Sequence, residues 1–296
     1  MRALFAGTAA FAVPSLRALH GAGHAIPLVV TQPDRPGHRM RPTPPPVKEA
    51  ALGLGLEVFQ PDRIRSPEAV ARLARASPDV MVVIAYGQII PPSVLEIPPL
   101  GVLNVHASLL PRHRGAAPVA HAILAGDATT GVTIMCMDEQ LDHGPILAAR
   151  ETAVGAQEDA PALTARLAEM GAALLVDTLQ RLGEIVPVEQ DHGLATAAPK
   201  LSRTDGELDW SSSALEIDRR VRALAPWPGV TLPWRGGRVK VLRGRAVPDA
   251  AGTPGEPLTD AGTGLLVATG RGAYRLDEVQ VPGRRPMSGR ALAGRR

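Results

Sequence analysis

The chain has 296 residues, 45% hydrophobic and 21% charged, which supplies apolar material for two cores and excludes a disordered, fibrous or low-complexity chain. One cysteine, Cys136, excludes an intramolecular disulfide and a multi-cysteine zinc cage, and points to a reducing compartment with the cytoplasm as default. The net charge of +3 conceals an asymmetry: residues 1–199 carry 15 basic against 19 acidic side chains, residues 200–296 carry 17 against 10, and from Arg219 onward the balance is 15 against 5.

The opening places one basic residue before a small apolar run, but Gly7 and Pro14 interrupt it. It reads as a strand over Arg2–Ala6, a tight glycine turn and a helix ending near Leu19 rather than as a signal peptide. A second strand spans Ile26–Thr31. The loop from Gln32 to Lys48 follows it, basic and rich in proline, and too long to be simple filler in a compact domain. A helix is expected over Ser66–Arg75, and Val80–Ala85 is continuously apolar, as a strand buried on both faces should be. Val102–His106 and Val132–Met137 complete a core of five strands, with helices over Pro118–Leu124 and Pro161–Leu182, the latter N-capped by Asp159.

This alternation predicts an α/β fold with a doubly wound, mostly parallel sheet over residues 1–190. Charge and pattern change together in a linker over 191–206. Beyond it, residues 207–296 form a second domain. Ser213 and Glu216 have capping-box spacing before a helix ending near Leu224. Four short strands then follow, Val230–Trp234, Val239–Arg243, Gly264–Ala268 and Tyr274–Val279, as in a small β-barrel. No run of 18 apolar residues exists, so no transmembrane helix and no membrane partner are expected.

The chemistry concentrates at two strand ends. Alternation puts Asn104 and His106 on one face at the end of a strand, where open parallel sheets bind ligands. The next apolar strand runs into an acidic loop containing Asp142. An aspartate brought near His106 would stabilise its protonated form, and Asn104 could donate to a developing oxyanion. That set suits acyl transfer without a covalent enzyme intermediate; its alternatives are polar strand caps and a solvated acidic turn. A dinucleotide-dependent oxidoreductase is disfavoured because Gly7-Thr8-Ala9-Ala10 lacks the spaced glycines that admit a pyrophosphate.

The motif order is more specific. It runs Gly-Thr-x-x-Phe-Ala-Val-Pro at 7–14, Asn-x-His-x-Ser-Leu-Leu-Pro at 104–111, Arg-Gly-Ala-Ala-Pro at 114–118 and Gly-Val-Thr-Ile-Met-x-Met-Asp at 131–138. Ala-Pro-Lys-Leu-Ser at 198–202, Asp-Trp at 209–210, Pro-Trp-Pro-Gly at 226–229 and Pro-Gly-Arg-Arg-Pro-Met-Ser-Gly at 282–289 follow. Across nearly its whole length the chain resembles the methionyl-tRNA formyltransferase family of folate-dependent enzymes. The first block is shared with other folate-dependent formyltransferases; the C-terminal block points to the tRNA enzyme.

The resemblance implies a Rossmann-like formyltransferase domain and an OB-like C-terminal domain. The activity it implies is transfer of formyl from N10-formyltetrahydrofolate to the α-amine of methionine on initiator tRNA, without a metal and in a monomer. Asn104, His106 and Asp142 match the catalytic triplet: His106 and Asn104 would stabilise the tetrahedral oxyanion, and Asp142 would keep His106 protonated and help move the amine proton toward N10. Ser108, Leu109, Leu110 and Pro111 match the folate loop, with Ile84, Ala85, Tyr86 and Gly87 lining the pterin pocket. For tRNA, Arg35, Arg39, Arg41 and Lys48 belong to the loop matching the family's insertion loop. Lys200 lies in the linker, and Lys240, Arg243, Arg245, Arg284 and Arg285 supply backbone contacts in the basic module.

The sequence departs from the family pattern at Ala9, His113 and Ala120, in an arginine-rich insertion loop, and at Gln140 and His143. His143 could compete as a pH-sensitive partner of Asp142. Formylation of a ribonucleotide amine or an amino-sugar nucleotide would use the same triplet but leaves the basic module unexplained. A non-enzymatic RNA-binding protein leaves the triplet unexplained.

Overall fold

Ala3–Gly7, the first apolar run, forms β1 with all five residues buried, which requires cover on both faces of the sheet that contains it. The computed structural model describes residues 1–36, 42–259 and 264–294. These form two compact units, one comprising 1–118, 129–153 and 164–198, the other 119–128, 154–163 and 199–296.

In the first unit β1 lies between β2 (Val29–Val30) and, further along the chain, β6 (Val80–Ile84), parallel to both. Two residues each of β3 (Arg35–Pro36) and β4 (Pro42–Thr43) pair antiparallel. β5 (Val58–Phe59) extends the sheet beyond β2, and β7 (Val102–His106) pairs parallel with β6. β8 (Thr129–Cys136) and β9 (Ile146–Ala153) then add antiparallel, giving the order β5-β2-β1-β6-β7-β8-β9. After β1 the chain winds first to one side and then, with β6, to the other. This reversal makes the carboxyl ends of β1 and β6 the switch-point crevice.

Seven strands therefore stand where five were expected, and the strand expected at Val132–Met137 runs antiparallel as β8. β5 is too short to carry a pattern, and β9 is half exposed, with polar residues through its middle, so no apolar run marks it. The helices are α1 (Val13–Gly21), α2 (Pro46–Gly53), α3 (Pro67–Arg75), α4 (Pro92–Leu95), α5 (Pro118–Ala125) and α6 (Ala160–Gln180). Ser66 caps α3 by accepting from the Ala69 amide at 3.2 Å, ahead of Pro67 in the first turn. Asp159 caps α6 in the same way through the Ala162 amide, at 2.9 Å.

In the second unit α7 (Ala214–Ala223) begins at Ser213, whose hydroxyl accepts from the Glu216 amide. The Glu216 side chain lies 3.5 Å from Arg220 instead of closing a capping box; reciprocal capping occurs at Ser202 and Asp205. The antiparallel half-barrel follows: β10 (Val230–Trp234), β11 (Gly237–Val247), β12 (Pro257–Leu258), β13 (Leu265–Ala268), β14 (Ala273–Gln280) and β15 (Met287–Ser288). α8 (Gly289–Ala293) closes the described chain. Among the described residues no helix is long and apolar enough to cross a membrane.

Candidate active site

The end of β7 delivers Asn104 and His106 to one face, two residues apart. His106 Nε2 lies 2.9 Å from the His113 carbonyl oxygen. A carbonyl can only accept, so Nε2 carries a proton and donates it there. The other ring nitrogen, Nδ1, faces Asp142 Oδ2 at 3.6 Å, with the two side chains only 6% and 10% exposed. Asn104 Nδ2 donates to Asp142 Oδ1 at 3.3 Å, and the Gly115 amide donates to Oδ2 at 2.8 Å. The three residues separated by up to 38 positions in the chain thus converge on one carboxylate.

Two loops create this convergence, and both are strained. Asp142 and His113 adopt left-handed φ values of 48° and 58°. Such conformations cost about 1–3 kcal/mol each for residues other than glycine and persist only where surrounding contacts impose them. Gly115 has φ 127° and packs so closely that a Cβ there would lie 2.5 Å from the Ala198 carbonyl oxygen.

The loop after β7 is anchored from below. Thr133 Oγ1 donates to the Ser108 carbonyl at 2.7 Å and accepts from the Leu110 amide at 3.1 Å, and Ser108 Oγ donates to the Arg112 carbonyl at 2.6 Å. Ser108 and Leu110 are buried, while Leu109 and Pro111 are half-buried. Ile84 ends β6 beside them, and Ala85 and Gly87 turn the chain with φ of 45° and 90°. The Tyr86 ring packs in the core with Leu4, Leu28, Met81 and Ile90, and burial pushes its hydroxyl far above the ordinary tyrosine range. That hydroxyl and Gln32 Nε2 are buried without a hydrogen-bond partner. Gln32 packs 3.8 Å from where a Cβ of Gly87 would be. Gln32 Nε2, a buried unpaired donor beside Gly87, fits a flat heterocycle rich in hydrogen-bonding atoms.

The basic residues fall into distinct settings. Lys48 Nζ holds both oxygens of Asp34 at 2.8 Å, so its charge is already partnered; that contact, with Gln60, holds the Asp34 carboxyl below the usual range. Arg35 reaches Gln32 Oε1 at 3.4 Å. Lys240 is half-buried, its ammonium 3.3 Å from the Pro226 carbonyl. Lys200, Arg243, Arg245, Arg284 and Arg285 are exposed. Arg39 and Arg41 lie outside the described residues.

One expectation is corrected. His143 does not compete for Asp142: its Nδ1 pairs with Asp138 Oδ2 at 2.6 Å, and its ring stacks on His192 with centroids 4.0 Å apart. The short turn from Asp138 brings its carboxylate to His143 before Asp142 can, and Asp142 is turned inward by its backbone. Cys136 is half-buried, and desolvation pushes its thiol up. Sequence reading gave no role to His113, Arg114, Gly115, Thr133 or Gln190, because each acts through backbone groups or across distant segments.

Comparison with known proteins places the chain in a family. Residues 1–179 match the family described as formyl transferase, and residues 200–296 match its C-terminal domain. The chain is 50% identical to a methionyl-tRNA formyltransferase of Solibacter usitatus over 96% of its length and 92% of the relative. It is also 50% identical to one of Chloroflexus aurantiacus over 99% and 97%. Among solved structures, an N-formyltransferase from Helicobacter canadensis, in complex with folinic acid and dTDP-3-aminofucose, shares the fold with TM-score 0.69 at 15% identity, over 93% of this chain and 98% of the other. HypX from Aquifex aeolicus in complex with tetrahydrofolic acid gives TM-score 0.64 at 19% identity; nearly all of this chain, 99%, spans about half of it, 47%.

Proposed function

The chain belongs to the methionyl-tRNA formyltransferase family and transfers formyl from formyltetrahydrofolate to methionyl initiator tRNA, and on that premise we propose that Asn104, His106 and Asp142 carry out the transfer. The observation that carries this reading is the meeting of His106, Asn104 and the Gly115 amide on the Asp142 carboxylate at the carboxyl end of the sheet.

The folate supplies the formyl carbon. The methionine amine adds to that carbon through a new C–N bond, the bond from carbon to N10 breaks, and the proton lost by the amine passes to N10. Negative charge gathers on the formyl oxygen as the amine adds. Asn104 commits one Nδ2 hydrogen to Asp142 and keeps the second to donate to that oxygen. His106 Nε2–H is engaged by the His113 carbonyl in this arrangement, and sharing it with the formyl oxygen supplies the second donor. Asp142, facing Nδ1, offsets positive charge on the imidazole and accepts the amine proton on its way to the leaving nitrogen.

The segments 84–87 and 108–111, at the ends of adjacent parallel strands, form the folate crevice. Gln32 adds a donor to it. Arg35, Arg39 and Arg41 contact the acceptor end of the tRNA; Lys200, Lys240, Arg243, Arg245, Arg284 and Arg285 contact its backbone, while Lys48 positions Asp34 and the start of the loop. The module is suited to this because phosphate neutralisation needs exposed cations and little geometry.

The test is formyl transfer from N10-formyltetrahydrofolate to methionyl initiator tRNA, with elongator methionyl-tRNA, free methionine and glycinamide ribonucleotide in parallel. Transfer confined to the initiator, and lost in His106→Ala and Asp142→Ala, is the expected result. Undiminished transfer by both variants would remove the proposed triplet.

A further inference from the structure

Gln190 lies in none of the motifs above, yet it is only 5% exposed and every hydrogen-bonding capacity of its carboxamide is used. Its Nε2 donates both hydrogens, to the Asp142 carbonyl at 3.0 Å and the Gly144 carbonyl at 2.7 Å. Its Oε1 accepts twice from Arg114, from Nε at 3.2 Å and Nη2 at 2.6 Å. The orientation of the amide follows from its partners, since the guanidinium has no acceptor and the carbonyls have no donor. Arg114 is itself held by a contact of 2.8 Å from Nη2 to His192 Nδ1 and by backbone bonds to Thr196 and Ala198.

Three consecutive residues of the neighbouring loop thereby touch three parts of one apparatus. The His113 carbonyl accepts from His106 Nε2–H, the Arg114 side chain orients Gln190, and the Gly115 amide holds the Asp142 carboxylate. Gln190 grips the same Asp142 from its backbone side. The turn is closed at Gly144, where a Cβ would lie 2.1 Å from the Cys136 carbonyl oxygen.

We propose that Gln190, oriented by Arg114, is a positioning residue for formyl transfer: it locks the 142–144 turn so that the Asp142 carboxylate faces His106. The assignment rests on the reading of His106 and Asp142 as the reacting pair. No other common side chain satisfies the site. Glutamate can accept from Arg114 but presents oxygen to two carbonyl oxygens, and asparagine carries the same amide on a stem one methylene shorter. Gln190 touches no reacting atom; its effect reaches the chemistry only through Asp142.

The experiment compares Gln190→Glu and Gln190→Met with Leu175→Ala, a control in the buried face of α6. Melting temperature, kcat, KM for each substrate and the pH profile of kcat are measured for each. Both Gln190 variants are expected to lose about 10- to 100-fold in kcat, because a misplacement of about 1 Å at a reacting group can cost about 10²-fold. Their KM values should stay within about twofold, and the pH profile should move. Leu175→Ala should lower the melting temperature with an unchanged profile. The inference is overturned if either folded Gln190 variant keeps kcat within about twofold, if the loss lies wholly in KM for tRNA, or if Leu175→Ala reproduces it. If His106→Ala and Asp142→Ala are themselves fully active, it is the underlying assignment that fails. If they are inactive while the Gln190 variants behave as wild type, only the role of Gln190 falls.

Discussion

The His106 and Asp142 side chains are 6% and 10% exposed and every polar contact around them is directed, whereas Arg243, Arg245, Arg284 and Arg285 stand exposed on the second unit. Arg243 and Arg245 of β11 lie opposite Glu278 and Arg275 of β14, on either side of a register shift. The difference follows from what each region handles. A reacting carbonyl needs donors fixed to within a fraction of an ångström, which requires buried hydrogen bonds and tolerates backbone strain. A phosphate backbone needs charge at roughly the right place, and exposed guanidinium groups supply it while keeping their freedom.

The largest effect expected from this contrast is on the buried side. His106→Ala and Asp142→Ala should each lower kcat by about 10² to 10⁴-fold while leaving tRNA affinity unchanged in a filter-binding or fluorescence titration. A loss of affinity in place of rate would abolish the division between the regions. Gly144→Ala should come next: the new methyl collides with the Cys136 carbonyl and shifts the turn, for an expected loss of up to about 100-fold in kcat, measured by single turnover. On the second unit, replacing exposed Arg243 or Arg245, or half-buried Lys240, should raise the Kd for tRNA by a few-fold. Each true phosphate contact removed should flatten the slope of log K against log salt by about one. An unchanged slope would assign the residue to a solvated face.

The two tyrosines, Tyr86 and Tyr274, report on the two units separately. Burial raises the folded pKa of each well above the unfolded value of about 10. Stability from the neutral hydroxyls is therefore complete below pH 10 and is lost as pH rises past it. Absorbance at 295 nm should stay flat through pH 10 in the native protein and rise only with unfolding, with Tyr86→Phe and Tyr274→Phe separating the units. Tyrosinate appearing near pH 10 before any loss of circular dichroism would contradict the burial. The smallest effect belongs to the exposed pair of Arg72 and Glu57, where Glu57→Gln should change stability by no more than about 1 kcal/mol in a denaturant titration.

Much of the first unit was legible because its signals are local. β1 and β6 are uninterrupted apolar runs, and on β7 the spacing of Asn104 and His106 places both on one face by strand geometry alone. β5 escaped notice because two residues cannot carry a period, and β9 because its exposed middle breaks the apolar signal. The direction of β8 escaped the sequence for a different reason. A parallel and an antiparallel neighbour present the same buried side chains, and only the path of the connecting chain separates them.

The sequence by itself determined which residues would lie on the carboxyl ends of the strands, and its motif order determined the family. Only the tertiary structure decided which groups meet there. The expected pairing of His143 with Asp142 gave way to Asp138 because the backbone of the acidic loop turns Asp142 inward at φ 48°. Gln190 reaches Asp142 across 48 positions, and the Gly115 amide reaches it across 27. Such bonds have no period, and each of these two has at one end a backbone atom of a kind that every residue carries. They exist only once the strands have paired and brought distant loops within about 3 Å.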